Sequence, residues 1–348
     1  MTKARKLADL GNVYDDGALS HRNLIINGAM TVAQRGTSAT GLTNTNSGYK
    51  ALDRWNYVAD NSLGQLVTKM EQVSDAPNDF VSSLKITVTT AETAIAGDEH
   101  FGVHQPIEAQ DLQHLNYGTS SAKQLTVSFW VKSSIATTFA VGLYKTDTTS
   151  SMIAKTYTVN TANTWEYKTI TYDGLQGSGI DNNTSEGLRL WYHLAVGPDR
   201  TDSTITSWQT YDGDFSPVQF AGIGETLNAT WQITGVQLEV GDTATPFEHR
   251  SYGDELARCQ RYYWKGELNS GPTYLTNGAN IRLGCGFVLP TIMRAIPTGT
   301  VVSNEHAGNS NAGYVEQLSV DGGRYSCNMS VGAGTISRTD ICSMDAEL

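Results

Sequence analysis

Apolar and polar residues alternate with a period of two through most of the chain between residues 55 and 240. In the longest example, Leu188, Leu190, Tyr192, Leu194 and Val196 share one parity. Such alternation is typical of a strand with one buried face. Turns rich in Gly, Asn, Ser and Thr separate these segments, and helical periodicity is scarce. We therefore predict an all-β fold, with eight to ten strands in a jelly-roll β-sandwich over residues 21–250.

The pattern changes near residue 250. Val236, Leu238 and Val240 continue the alternation, while a phase slip at Gly235 predicts a β-bulge. Gly241 and Pro246 then end the strand. Residues 254–262 suit a short helix, with acidic residues early and basic residues late, as the helix dipole prefers. This change marks a domain boundary.

Residues 251–348 are predicted to form the short helix and a smaller C-terminal β domain. Strand patterns recur at 281–289, 314–320 and 325–331, between turns rich in Gly and Ser. Large apolar residues are few over the last fifty positions, so a monomer would bury little apolar surface there. We therefore expect a homo-oligomer, either a homotrimer or another assembly.

Charge and hydropathy exclude several classes of function. The net charge is -11, and Lys and Arg do not cluster, so nucleic-acid binding is not expected. The apolar runs are shorter than the roughly 20 residues that span a bilayer, so membrane insertion is not expected either. The N-terminus has no signal-peptide pattern, which predicts synthesis in the cytosol.

Motifs for catalysis or metal binding are weak. Acids are plentiful in loops, but nothing marks two of them as a glycosidase pair, and neither G-x-S-x-G nor a P-loop occurs. His100 and His104 have the spacing of a helical zinc motif, but Pro106 favours an extended segment. We predict no cofactor and no metal site, although a structural calcium ion among the loop acids is left open. The four cysteines are expected to be free buried thiols.

Two tryptophans lie on the parity that should face water. Trp130 is opposite the apolar residues of 125–132, and Trp191, with Arg189 and His193, is opposite the leucines of 188–196. A tryptophan on a wet face needs a partner, which in jelly-roll lectins is a sugar ring. These four residues are the predicted glycan platform. The alternative is that another segment, a second sheet or a neighbouring subunit covers them.

Several motifs carry a family resemblance. Residues 22–31, 34–38, 235–263 and 290–298 resemble virion structural proteins of tailed bacteriophages, including marine and cyanophage types, over about residues 20–300. These are tail-fibre or head- and neck-fibre proteins. Residues 125–134, 163–174 and 188–197 resemble strands of carbohydrate-binding modules. The resemblance implies that residues 1–20 form an attachment arm contacting other virion proteins, and a frayed terminus is the alternative. Lys3, Arg5, Leu7 and Leu10 are its candidate contacts.

Three functions follow as hypotheses. The first is a non-catalytic virion protein, made in the bacterial host cytoplasm, that serves as a tail fibre and contributes to adhesion to host-surface glycans. The second is a capsid decoration or head-fibre protein with the same fold. The third, which the sequence favours least, is a glycan depolymerase.

Overall fold

The computed structural model describes residues 22–60, 63–269, 273–275, 282–303, 313–328, 334–336 and 338–348. The predicted arm at 1–20, with Lys3, Arg5, Leu7 and Leu10, lies outside the described residues. The chain divides into two units between Arg250 and Ser251. Each unit is described separately.

Strands dominate the described part of the first unit. They are β1 (Ser38–Leu42), β2 (Gly48–Tyr49), β3 (Asn56–Ala59), β4 (Val67–Val73), β5 (Ser83–Thr90), β6 (His100–Glu108), β7 (Leu125–Ser133), β8 (Thr138–Lys145), β9 (Ser151–Thr158), β10 (Glu166–Tyr172), β11 (Glu186–Val196), β12 (Gln209–Thr210) and β13 (Thr230–Val240). Two short 3-10 helices, Ala109–Leu115 and Pro198–Arg200, interrupt them.

The strands of the first unit form two antiparallel sheets. A six-stranded sheet has the order β1-β4-β5-β13-β7-β10, and a seven-stranded sheet has the order β12-β9-β8-β11-β6-β3-β2. The main core lies between them, because the buried apolar cluster draws side chains from both sheets, such as Val127 and Leu190. The predicted all-β jelly-roll sandwich is confirmed. The strands outnumber the prediction because β1, β2 and β12 are short or irregular and carry little alternation.

Shifts of register interrupt both of the longest strands, β11 and β13. The predicted bulge at Gly235 is present: the register of β13 against β7 shifts between Thr234 and Gln237. A second shift, between His193 and Ala195 in β11, was not predicted. It turns Val196 away from the main core into a separate cluster. The prediction that Val196 shares a face with Leu188 is therefore wrong.

The first described residues are hydrogen-bonded to the last strand of the sandwich. The Leu24 amide donates to the Leu238 carbonyl at 2.9 Å, and the Val236 amide donates to the Gly28 carbonyl at 3.0 Å. The Asn23 side chain accepts from the Leu238 amide at 3.1 Å. We call residues 22–28 and 246–250, with these contacts, the clasp. Two motifs that are far apart in sequence are thus neighbours in the fold.

The second unit begins with the α-helix Tyr252–Gln260, close to the predicted position. The Ser251 hydroxyl caps it by accepting from the Asp254 amide at 3.2 Å. The described strands that follow are β14 (Tyr263–Asn269), β15 (Thr273–Leu275), β16 (Arg282–Val288), β17 (Thr298–Ser303), β18 (Tyr314–Ser319), β19 (Gly322–Asn328), β20 (Gly334–Ile336) and β21 (Thr339–Asp345). They form the sheets β14-β21-β17, β15-β20 and β16-β19-β18.

The core of the second unit is small. Its described buried apolar cluster centres on Met293, Tyr325 and Met344. The buried Asp340 carboxylate adds a polar anchor, accepting from the Tyr325 hydroxyl at 2.7 Å and from Arg338 Nε at 2.6 Å. In contrast, Val288, Ile292, Ile296 and Val302 are largely exposed.

Candidate ligand-binding groove

A groove of about 770 Å³ lies on the outer face of the six-stranded sheet. Its lining comes from three neighbouring strands, β13, β7 and β10, and from two loops. The described lining residues are Pro77, Asn78, Asp79, Phe80, Ser128, Trp130, Trp165, Tyr167, Gly235, Pro246, Phe247 and His249. All of them belong to the first unit.

Three aromatic side chains form one side of the groove. On β7, Phe129 and Val131 point into the core, so the strand period turns Trp130 outward. Tyr167 lies directly opposite Trp130 on the edge strand β10. Their ring centroids are 5.3 Å apart, with planes at 49°. Trp165, just before β10, adds the third ring. These rings form an apolar surface that water can reach, since Tyr167 is 45% exposed.

An ion pair holds the Trp165 ring. Asp75 accepts a hydrogen bond from the Trp165 indole at 3.3 Å and pairs with the Lys132 ammonium. Lys132 Nζ lies 5.1 Å from the centre of the Trp165 ring. Burial alone would raise the pKa of Asp75, but the hydrogen bonds from Lys132 and Trp165 outweigh it and the pKa is lowered. The carboxylate is therefore ionised at neutral pH and orients both side chains.

The opposite side of the groove is a second aromatic cluster. Phe80 contacts Phe247 edge-on at 5.1 Å and His249 at 5.3 Å between ring centroids. Gly235, at the bulge of β13, leaves room for this cluster. A Cβ atom at Gly235 would lie 2.6 Å from the Phe80 ring. The bulge therefore shapes the groove as well as the strand.

The clasp positions this second side. Phe247 and His249 line the groove, while the intervening Glu248 turns toward the N-terminal segment. The Glu248 carboxylate accepts from the Asn23 amide at 2.8 Å, and Arg250 donates to the Ile25 carbonyl at 3.1 Å. Alternate residues of one short segment thus serve the groove and the clasp.

The structure does not bring the four predicted glycan residues together. Trp130 is on the six-stranded sheet, whereas Arg189, Trp191 and His193 are on β11 of the seven-stranded sheet. Trp191 is 6% exposed and His193 is fully buried. The single predicted platform is therefore corrected, because strand parity shows which way a side chain points but not which sheet it belongs to.

The alternative interpretation holds for the β11 residues, which a segment of the same chain covers. Phe215 packs on Trp191 and His193, with ring centroids at 4.9 and 5.2 Å. Arg189 is ion-paired with Glu186 at 2.8 Å and lies over the Trp191 ring at 5.1 Å. This face of the sheet is a small second core.

Three histidines are enclosed near that second core. His100 and His104 both lie on β6, so their predicted extended geometry is confirmed. Burial lowers the pKa of His104 and of His193 well below 6.5, with neighbouring charges adding to the effect. His100 is 3.3 Å from Asp60, yet burial still lowers its pKa. These imidazoles are neutral structural groups at neutral pH.

Within the described residues, no three His, Cys, Asp or Glu side chains meet in a way that could hold a metal ion. Across the same part of the chain, no helix has the length and apolarity to cross a membrane. The four cysteines are free thiols, but Cys285 is exposed, which corrects the expectation that all four are buried.

Most residues of the groove were not predicted from the sequence. Trp165 and Tyr167 share the outward parity of β10, because Ile170 and Tyr172 point inward. The parity argument that selected Trp130 would therefore have selected them. Phe80, Phe247 and His249 carry no such signal, since they lie in loops that only the tertiary fold brings together.

The fold and the site define the first unit as a β-sandwich that presents an aromatic groove on one sheet. No family model and no curated protein match the chain. It is similar to the solved structure of the enzymatically active domain of bacteriophage CBA120 tailspike protein 4. The identity is 14% and the TM-score 0.34, and the match covers 63% of this chain and 21% of that one.

The chain is also similar to a family 11 carbohydrate-binding module from Clostridium thermocellum, solved with a mixed-linked β-1,3-1,4 tetrasaccharide. That match has 11% identity and a TM-score of 0.29, and covers 62% of this chain and 99% of the module. At these values the similarities carry no information on the ligand or activity of this chain. The ligand is therefore inferred from the residues that line the groove.

Proposed function

We propose that the groove binds a glycan and that the chain is a non-catalytic adhesive protein. The observation that carries this proposal is the pair formed by the partly exposed Trp130 and the exposed Tyr167, extended by Trp165 in the same groove. Sugar rings bury their C–H faces on aromatic rings and keep their hydroxyls for polar groups. Asn78 and Asp79, which are both exposed, supply such groups along the lining.

The same lining favours binding over glycoside hydrolysis. Hydrolysis of a glycosidic bond usually needs two carboxyl groups that flank it. Among the described lining residues Asp79 is the single carboxylate, and nearby Asp75 is engaged with Lys132 and Trp165. The proposal is therefore attachment without turnover.

The sequence motifs support a place in a virion. Residues 22–31 and 235–263 resemble tailed-phage virion proteins, and the clasp joins these motifs beside the groove. We propose a tail fibre that attaches through residues 1–20 and exposes the groove to host-surface glycans. A capsid decoration or head-fibre protein is the alternative. Counting copies per particle distinguishes them, since a fibre is present in a few to a few dozen copies and a decoration protein in hundreds.

The binding proposal is tested by substituting Trp130 and Tyr167, the paired rings that line the groove. We expect Trp130→Ala and Tyr167→Ala each to reduce affinity for a bound oligosaccharide at least tenfold, or about 1.4 kcal/mol. Binding is measured by calorimetry after a glycan array has selected the ligand. Tyr252→Ala removes a side chain that is 60% exposed in the second unit and serves as the matched control. Undiminished binding by a folded Trp130→Ala variant would refute the proposal.

A further inference from the structure

The charge of the groove lining does not favour an anionic ligand. Among its described lining residues the one formal charge is the Asp79 carboxylate, which is exposed. Asp79 makes no hydrogen bond or ion pair with another described residue. The Phe80 amide donates to the Pro77 carbonyl at 3.2 Å, so Asn78 and Asp79 are the central residues of a tight turn, in which Asp79 is left-handed with φ at 73°. A ligand that fills the groove would therefore meet a free carboxylate.

The lysines of the neighbouring strands do not supply a free positive charge. Lys132 of β7 shares the outward parity of Trp130 but is paired with Asp75. Lys168 of β10 shares the inward parity of Ile170 and is 2.7 Å from the Glu166 carboxylate. Lys85 also faces outward on β5, but Gln232 of β13 stands between it and β7, and it does not line the groove. An acidic sugar would find repulsion from Asp79 without a free ammonium in the lining to offset it.

We infer that the groove selects uncharged glycans and rejects acidic ones, with Asp79 as the residue that determines this specificity. The inference rests on the proposed glycan-binding function. Physically, an exposed carboxylate repels a uronate and is a good hydrogen-bond acceptor for sugar hydroxyls. Like charges placed together are a common way to exclude a wrong partner. The net charge of -11 adds to this discrimination at long range.

The test compares two oligosaccharide series of equal length. One contains uncharged oligomers of glucose, galactose and mannose, and the other contains oligomers of glucuronate and galacturonate. Affinities are measured with the full chain at low salt and pH 8, above the range in which histidines ordinarily titrate. We expect the best uncharged oligomer to bind at least tenfold more tightly than any uronate. Asp79→Asn should reduce the ratio of the affinity for uncharged oligomers to the affinity for uronates several-fold, and Asp79→Lys should reverse the preference.

Asp199→Asn is the control, because it makes the same change in net charge at an exposed position of the 3-10 helix Pro198–Arg200, outside the lining. It should leave the ratio unchanged. Equally tight binding of uronates by the wild-type chain, lost in Trp130→Ala, would overturn the charge selection and leave glycan binding intact. An unchanged ratio in Asp79→Asn would overturn it too. Binding of neither series would end both proposals.

Discussion

At the scale of single residues, Gly235 joins backbone geometry to the groove. Its φ of 61° lies in the left-handed region, and its missing side chain makes room for Phe80. We predict that Gly235→Ala lowers the free energy of unfolding by about 1–2 kcal/mol, because alanine is strained in that region. It should also weaken ligand binding, because Phe80 must move. Urea unfolding and calorimetric titration measure the two effects.

Gly41→Ala separates strain from steric contact. Gly41 has a similar φ of 67°, but a Cβ there would meet no described atom within 4 Å. This variant should lose similar stability and keep its affinity. If Gly235→Ala binds as tightly as Gly41→Ala does, the bulge does not shape the site.

His193 makes a pH-dependent contribution to stability. Burial keeps its pKa and that of His104 well below 6.5 in the folded chain. As pH falls through about 6.5, the unfolded chain takes up protons that the folded chain does not, so the free energy of unfolding decreases. The loss is up to about 2 kcal/mol per imidazole between pH 8 and pH 5.

His193→Phe should therefore reduce the pH dependence of unfolding between pH 5 and pH 7, because it removes one of the buried titrating groups and keeps a ring against Phe215. The control is His114→Gln at an exposed position, which should leave most of the slope. The measurement is urea unfolding at each pH. A slope unaltered in His193→Phe would show that His193 is not the group responsible.

The residue scale also shows where sequence reasoning succeeds and where it stops. The outward parity of Trp130 and the bulge at Gly235 could be predicted, because both follow from the local period of two. The pairing of Trp130 with Tyr167 could not, because register depends on strands that are distant in sequence. The separation of Trp191 from Trp130 is a property of sheet topology, which local pattern does not contain.

At the scale of elements, the clasp links the start of the sandwich to one side of the groove. Asn23 is buried, and its side chain donates to the Val236 carbonyl and accepts from the Ile25 and Leu238 amides. Asn23→Ala would leave these buried backbone groups unpaired, at about 1–3 kcal/mol each. We predict a loss of at least about 2 kcal/mol in stability, and weaker ligand binding because Phe247 and His249 lose their support.

Asn46→Ala is the matched control for the clasp. The Asn46 side chain also makes two hydrogen bonds to backbone groups, but in an exposed turn where water can replace them. The Asn46→Ala variant should lose little stability and should bind the ligand with normal affinity. A loss of stability in Asn23→Ala with unchanged affinity would show that the clasp stabilises the sandwich but does not position the groove.

The elements themselves were largely predictable, and their assembly was not. Long alternating segments such as β7, β11 and β13 appear at the predicted places, because each buries one face. Short edge elements such as β2 and β12 lack enough residues to show a period. The clasp has no periodic signal, since it consists of side chain to backbone hydrogen bonds in irregular segments.

At the scale of the whole molecule, an oligomer would complement the proposed glycan-binding groove. A single aromatic groove on a sheet face binds a glycan weakly, since sugars compete with water for the same hydrogen bonds. Linking several grooves raises the effective affinity without any new contact. A homotrimer or another assembly would therefore suit an adhesive protein, and the second unit offers surface for it.

The second unit has a few buried apolar residues in its described core, while Val288, Ile292, Ile296 and Val302 are 49–85% exposed. Burying such side chains between copies stabilises an assembly by about 25 cal/mol per Å². We predict that the full chain sediments as an oligomer and that the pair Ile292→Lys and Ile296→Lys shifts it toward the monomer. Because the groove lies in the first unit, the variant should keep its affinity for a soluble oligosaccharide and lose avidity for a glycan-coated surface. Equilibrium sedimentation measures the oligomeric state, and a monomeric wild-type chain would refute the prediction.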